Sequence, residues 1–90
     1  MAGATYTVQL KPAAERDLKK IKDQAVLRRI VKAIDGLQTN PRPSGVRTLQ
    51  GDDAILRIRV GDYRIIYTFD RTQNTIHLLA LGHRREIYRQ

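Results

Sequence analysis

Residues 55–69 read ILRIRVGDYRIIYTF, and this stretch decides the fold. Apolar and polar positions alternate on both sides of Gly61-Asp62. A two-residue link with glycine first suits a type II′ turn, whose twist matches that of paired strands. Such a turn sets Val60 opposite Tyr63, Arg59 opposite Arg64, Ile58 opposite Ile65 and Arg57 opposite Ile66. Alternation then sorts the faces. Leu56, Ile58, Val60, Tyr63, Ile65 and Tyr67 share the core side, and Arg57, Arg59 and Arg64 share the other. Arg59 directly opposite Arg64 destabilises a hairpin by a few tenths to about 1 kcal/mol. Stability therefore gives no reason for the arrangement. Either the guanidinium groups splay into water or pair with Asp52, Asp53 or Asp62, or an anion binds on that face. Three converging arginines favour the anion.

Outward from the hairpin, TIHLLAL (75–81) reads as a third consecutive strand, ended by Gly82. TYTVQL (5–10) alternates and reads as a first strand. KPAAERDLKKI (11–21) has Pro12 near a helix start and Ala14, Leu18 and Ile21 at helical spacing. Asp23 is the expected N-cap of a second helix carrying the stripe Val26, Ile30, Ile34, Leu37. TNPRPSG (39–45) ends the helical part. The order β-α-α-β-β-β gives an α+β domain: an N-terminal strand, an antiparallel helical hairpin and a mainly antiparallel sheet covered by helices on one face.

Ninety residues make one domain, 1–90, whose core must be thin, since the chain has only five aromatic side chains. No cysteine is present, which excludes disulfides and thiolate metal sites and fits a cytoplasmic protein. The start MAGATYTVQL lacks a basic region and an apolar run, so neither signal peptide nor membrane anchor is expected. The net charge is +8 and the pI about 10.5. Such a balance serves solubility or attracts polyanions. Twelve of the seventeen basic residues are arginine, including all eight after residue 45, and the planar guanidinium fork suits bidentate phosphate contact. Lys19, Lys20, Arg28 and Arg29 lie off the apolar stripes. They read first as a solvated helix face and second as a surface that tracks RNA phosphates.

The charged end HRREIYRQ (83–90) reads as a solvated terminus. If Gly82 turns the chain beside the sheet, His83, Arg84 and Tyr88 reach the arginine face. His77, between Thr75 and Leu79 on its strand face, reads as structural. Two histidines without cysteines make a poor metal site, and no Gly-rich phosphate loop or Ser/His/Asp arrangement is present. No cofactor is expected.

LQGDDAILRIRVGDYRIIYTFD (49–70) together with LLALGHRREIY (78–88) resembles the RelE/ParE superfamily of bacterial toxins, and its RelE-like branch in particular. The resemblance covers nearly the whole chain and implies a RelE-like, microbial-RNase-type fold. It further implies a metal-independent endoribonuclease (an mRNA interferase) that cuts mRNA in the ribosomal A site, held inactive by a cognate RelB-like antitoxin in a hetero-oligomer. Two lysine positions of RelE match Arg57 and Arg59. The hairpin arginine matches Arg64, the arginine after the last strand matches Arg84, and the C-terminal tyrosine matches Tyr88. Both lysines are arginine here, which keeps charge stabilisation but weakens any proton-donor role, since arginine hardly deprotonates. His83 stands where the best-known members have lysine.

In this reading Arg57, Arg59 and Arg64 stabilise the transition-state phosphate. Tyr88 is the base, acidified by surrounding arginines. Arg84 is a phosphate contact, and His83 or Arg84 is the acid. A ParE-like DNA gyrase inhibitor without RNase activity is the alternative reading, and a non-catalytic RNA-binding module is a third.

Overall fold

The computed structural model describes residues 5–48 and 55–83. The chain runs β1 (Thr7–Leu10), α1 (Pro12–Lys19), α2 (Gln24–Thr39), β2 (Arg47–Thr48), β3 (Leu56–Val60), β4 (Tyr63–Asp70) and β5 (Thr75–His83). The strands form one five-stranded sheet in the order β1-β5-β4-β3-β2. β1 is parallel to β5, and every other pair is antiparallel. The α+β architecture read from the sequence is present, with two-residue β2 as an addition at the sheet edge.

Both helices lie on one face of the sheet. Pro12 opens α1, where a missing N–H costs nothing, and the helix stops at Lys19. Ile21 therefore enters the core from the connection rather than from the helix, its N–H donating to Leu18 O at 3.1 Å. α2 starts as its sequence suggests: Asp23 Oδ1 accepts the amides of Ala25 and Val26 at 2.9 and 3.3 Å. Its stripe buries Ile30, Ile34 and Leu37 against Leu56, Ile58, Ile65, Tyr67, Ile76, Leu78 and Leu81 of the sheet.

The β3–β4 register is the one the turn requires: Val60 with Tyr63, Arg59 with Arg64, Ile58 with Ile65 and Arg57 with Ile66. Gly61 carries φ +62°, while Asp62 stays at negative φ, the pattern of a type II′ turn. The Arg29 guanidinium packs over this turn, within 3.4 Å of where a Gly61 Cβ would stand. The conformation selects glycine, while the flexible Arg29 tip lies at ordinary contact distance from that site.

β5 departs from simple alternation. Ile66 pairs with Ala80 but Tyr67 pairs with Leu78, so Leu79 is an extra residue, a β-bulge. Leu78 and Leu81, three apart, are consequently both buried on the helix side. Gly82 does not end the strand, which continues through His83. Past the end of β1, α1 takes over the edge of β5, and Asp17 Oδ2 accepts the Leu81 amide at 3.1 Å.

Tyr67 ties the loop before β2 to the core. Its ring is fully buried, and its hydroxyl donates to Pro41 O at 2.6 Å. Burial pushes its phenol up to about 12, an effect the Arg42 guanidinium partly offsets. From the ordinary value of 10 up to 12, the unfolded chain has released a proton that the folded chain still holds. Stability from this group is thus complete below pH 10 and is lost as pH rises through that window. Tyr67→Phe should cost about 1 kcal/mol at neutral pH through the lost hydrogen bond. The variant should also lose less stability than wild type between pH 10 and 12, as measured by urea unfolding at each pH.

Candidate functional site

The face of the sheet away from the helices gathers arginines. Residues paired across antiparallel strands point to the same side. Arg59 pairs with Arg64 and Arg57 with Ile66, so all three sequence-predicted arginines share this face. β2 adds one that the sequence did not reveal: Arg47 pairs with Arg57. The two β2 residues stand just before the alternating pattern begins, and only the β2–β3 register exposes the relationship.

The arginines differ in setting. Arg64 lies on a strand flanked on both sides and is 6% exposed. Arg57 is half-buried, and Arg59 and Arg47 are exposed. Burial restricts the Arg64 side chain, whereas exposure leaves Arg59 and Arg47 more room to move. A held cation beside movable ones suits a ligand whose charge must be met at a fixed point. Two like-charged cross-strand pairs share this face, Arg59–Arg64 and Arg47–Arg57, a concentration of positive charge suited to an anion.

His83 does not join them, which corrects the expectation built on a turn at Gly82. Simple alternation from His77 would carry His83 to the open face, but the Leu79 bulge shifts the last residues of β5 by one. His83 pairs with Tyr63, and the two rings meet edge to face at 5.8 Å on the helix side. There it borders a cavity of about 190 Å³ with Val26, Arg29 and Asp62. Gly82 is the residue opposite Arg64.

Lys19, Lys20, Arg28 and Arg29 are exposed in the helical layer, across the sheet from the arginine face. Arg29 is committed in part to the hairpin turn. Arg84 and Tyr88 lie outside the described residues, as do Asp52 and Asp53. His77 is half-buried in β5, paired with Gln9 and Thr68, and its Nδ1 is buried with no hydrogen-bond partner among the described residues. Among the described residues no group of three or more His, Cys, Asp or Glu side chains is placed to hold a metal ion. None of the described helices is long and apolar enough to cross a membrane.

Comparison with known proteins adds an independent line. The family described as ParE toxin of type II toxin-antitoxin system, parDE, matches residues 8–88. Toxin RelG of Mycobacterium tuberculosis is 29% identical over 85 residues, covering 94% of this chain and 98% of that protein. The archaeal RelE–RelB complex from Pyrococcus horikoshii OT3 contains a chain 30% identical, with a TM-score of 0.78, covering 89% of this chain and 96% of the other. The toxin–antitoxin complex RelBE2 of M. tuberculosis contains one 28% identical, with a TM-score of 0.76, covering 89% and 92%.

Because Arg59 is exposed and faces Arg64, Arg59→Glu should turn a repulsive pair into an attractive one. Thermal unfolding should show a gain of a few tenths to about 1 kcal/mol. Affinity for a polyanion such as polyphosphate should fall in the same variant, a trade expected where a site is held at the expense of stability.

Proposed function

Because this chain belongs to the ParE toxin family of type II toxin–antitoxin systems and folds as RelE toxins do, we propose that it is a ribosome-dependent endoribonuclease that cleaves mRNA in the A site. The observation that carries this reading is the sheet face shared by Arg57, Arg59 and Arg64, with Arg64 buried and held. The chemistry needs a base for the ribose 2′-OH, positive charge around the phosphate, and an acid for the leaving 5′-oxygen. The 2′-oxygen attacks phosphorus as the bond to the 5′-oxygen breaks, leaving a 2′,3′-cyclic phosphate and a 5′-hydroxyl. RNA supplies the nucleophile, so no covalent enzyme intermediate forms.

Arg64 and Arg57 hold the non-bridging oxygens, and Arg59 adds charge from the exposed side. These groups supply the charge without a metal ion. Tyr88 takes the 2′-OH proton, and Arg84 contacts the phosphate and offsets the charge building on the leaving 5′-oxygen, which takes its proton from water. His83, which the sequence offered as an acid, is not assigned that step, because its ring sits with Tyr63 on the helix side. Weak acid–base groups require the substrate to be bent into line for attack, a task for the ribosome. Lys19, Lys20, Arg28 and Arg29 then grip ribosomal RNA backbone, making activity strongly dependent on salt. A RelB-like antitoxin is the partner that keeps the toxin inactive in a hetero-oligomer, as suggested by the RelE–RelB complexes of similar fold and by the +8 charge.

The ParE description of the matching family favours a second reading, inhibition of DNA gyrase without RNA cleavage. Purified protein added to ribosomes holding a defined A-site codon separates the two. Cleavage within that codon is expected, and intact message with arrested supercoiling by gyrase would overturn the reading. Arg64→Ala should slow cleavage roughly 10²–10³-fold, the effect of removing one preorganised donor. Tyr88→Phe should be strongly impaired, and His83→Gln should keep a rate close to wild type.

A further inference from the structure

The sequence resemblance assigns no role to Arg47, yet β2 sets it beside the arginine face. Arg47 and Arg57 are antiparallel partners, so their side chains leave the sheet on the same side. The loop that delivers Arg47 is built. Tyr67 donates to Pro41 O at 2.6 Å, Val46 N–H donates to Pro43 O at 3.1 Å, and Gly45 turns the chain at φ +88°. Both residues of β2 are exposed. Charge on an edge strand commonly blocks sheet-to-sheet association. That role is filled by a charge of either sign, and it does not account for a second arginine directly opposite Arg57.

Adjacent strands lie about 4.8 Å apart, so β2 and β4 are separated by roughly 10 Å. That separation exceeds the width of one phosphate group. Resting on the reading that this face takes RNA, we propose that Arg47 is a positioning residue that holds a second backbone phosphate, neighbouring the one held by Arg64. The substrate class is single-stranded RNA whose backbone crosses the strands from β4 through β3 to β2. Arg64 and Arg57 grip the reacting phosphate, and Arg47 fixes the direction in which the chain leaves it.

The test measures binding rather than cleavage, so that it stands apart from the catalytic reading. A single-stranded RNA dodecamer made uncleavable by 2′-deoxy substitution is titrated with wild type, Arg47→Ala and Arg16→Ala across a series of salt concentrations. Arg16 is exposed on α1, among the helices, and its removal lowers net charge by the same amount. Arg47→Ala should weaken binding several-fold at low salt and make the slope of log affinity against log salt shallower by about 0.7, the loss of one phosphate contact. Arg16→Ala should leave the slope unchanged, and thermal unfolding should show Arg47→Ala at least as stable as wild type.

A wild-type slope for Arg47→Ala, an equal change in both variants, or no binding by wild type would each overturn the proposal. Wild type that binds this RNA with the expected Arg47 effect, yet cleaves no A-site message, would leave Arg47 as a phosphate contact. Only the nuclease reading would then fall.

Discussion

The type II′ turn at Gly61-Asp62 is the constraint on which the rest of the molecule depends. A side-chain period of two means that a one-residue slip would exchange the two faces of β3 against β4. Leu56 and Ile58 would leave the core, and the arginines would enter it. The turn prevents this by demanding positive φ at one position, where glycine stands at +62°. Arg29 packs over the same residue from α2, so the helical layer also fits this turn. One backbone conformation thereby separates a hydrophobic core from a cationic face only one strand thick.

The bulge at Leu79 is the second device, and it acts on the site as much as on the core. It brings Leu78 and Leu81 to the same side despite their odd spacing, filling the space under α1. The same shift places Gly82 opposite Arg64 and sends His83 among the helices. Asp17 then receives the Leu81 amide beyond the end of β1, where no strand is available to accept it. Burial, register and the composition of the arginine face are thus set together by one extra residue.

Most of this organisation can be read in the sequence because it rests on local rules. The hairpin register follows from a two-residue turn, the start of α2 from Asp23, and the helix faces from apolar spacing. The bulge cannot be read so, since nothing beside Leu79 distinguishes it from an ordinary strand leucine. It shows only in the tertiary structure, where Leu78 and Leu81 are both buried. The misplacement of His83 follows directly from that. Arg47 was hidden for a different reason: two residues carry no periodicity, and their pairing with β3 depends on a loop held by Tyr67 some twenty residues further along the chain. Arg84 and Tyr88 rest on the family resemblance, with the roles proposed for them.

Contact between the arginine face and the phosphate of bound RNA is read out by NMR of arginine side-chain Nε–Hε signals. An uncleavable RNA oligonucleotide would be titrated into the labelled protein while Arg57, Arg59 and Arg64 are compared with Arg16, exposed on α1. Large, saturable shifts are expected at Arg57, Arg59 and Arg64, with Arg64 changing least in mobility because it is buried. Shifts confined to the helix arginines, with the sheet-face signals unmoved, would contradict that contact.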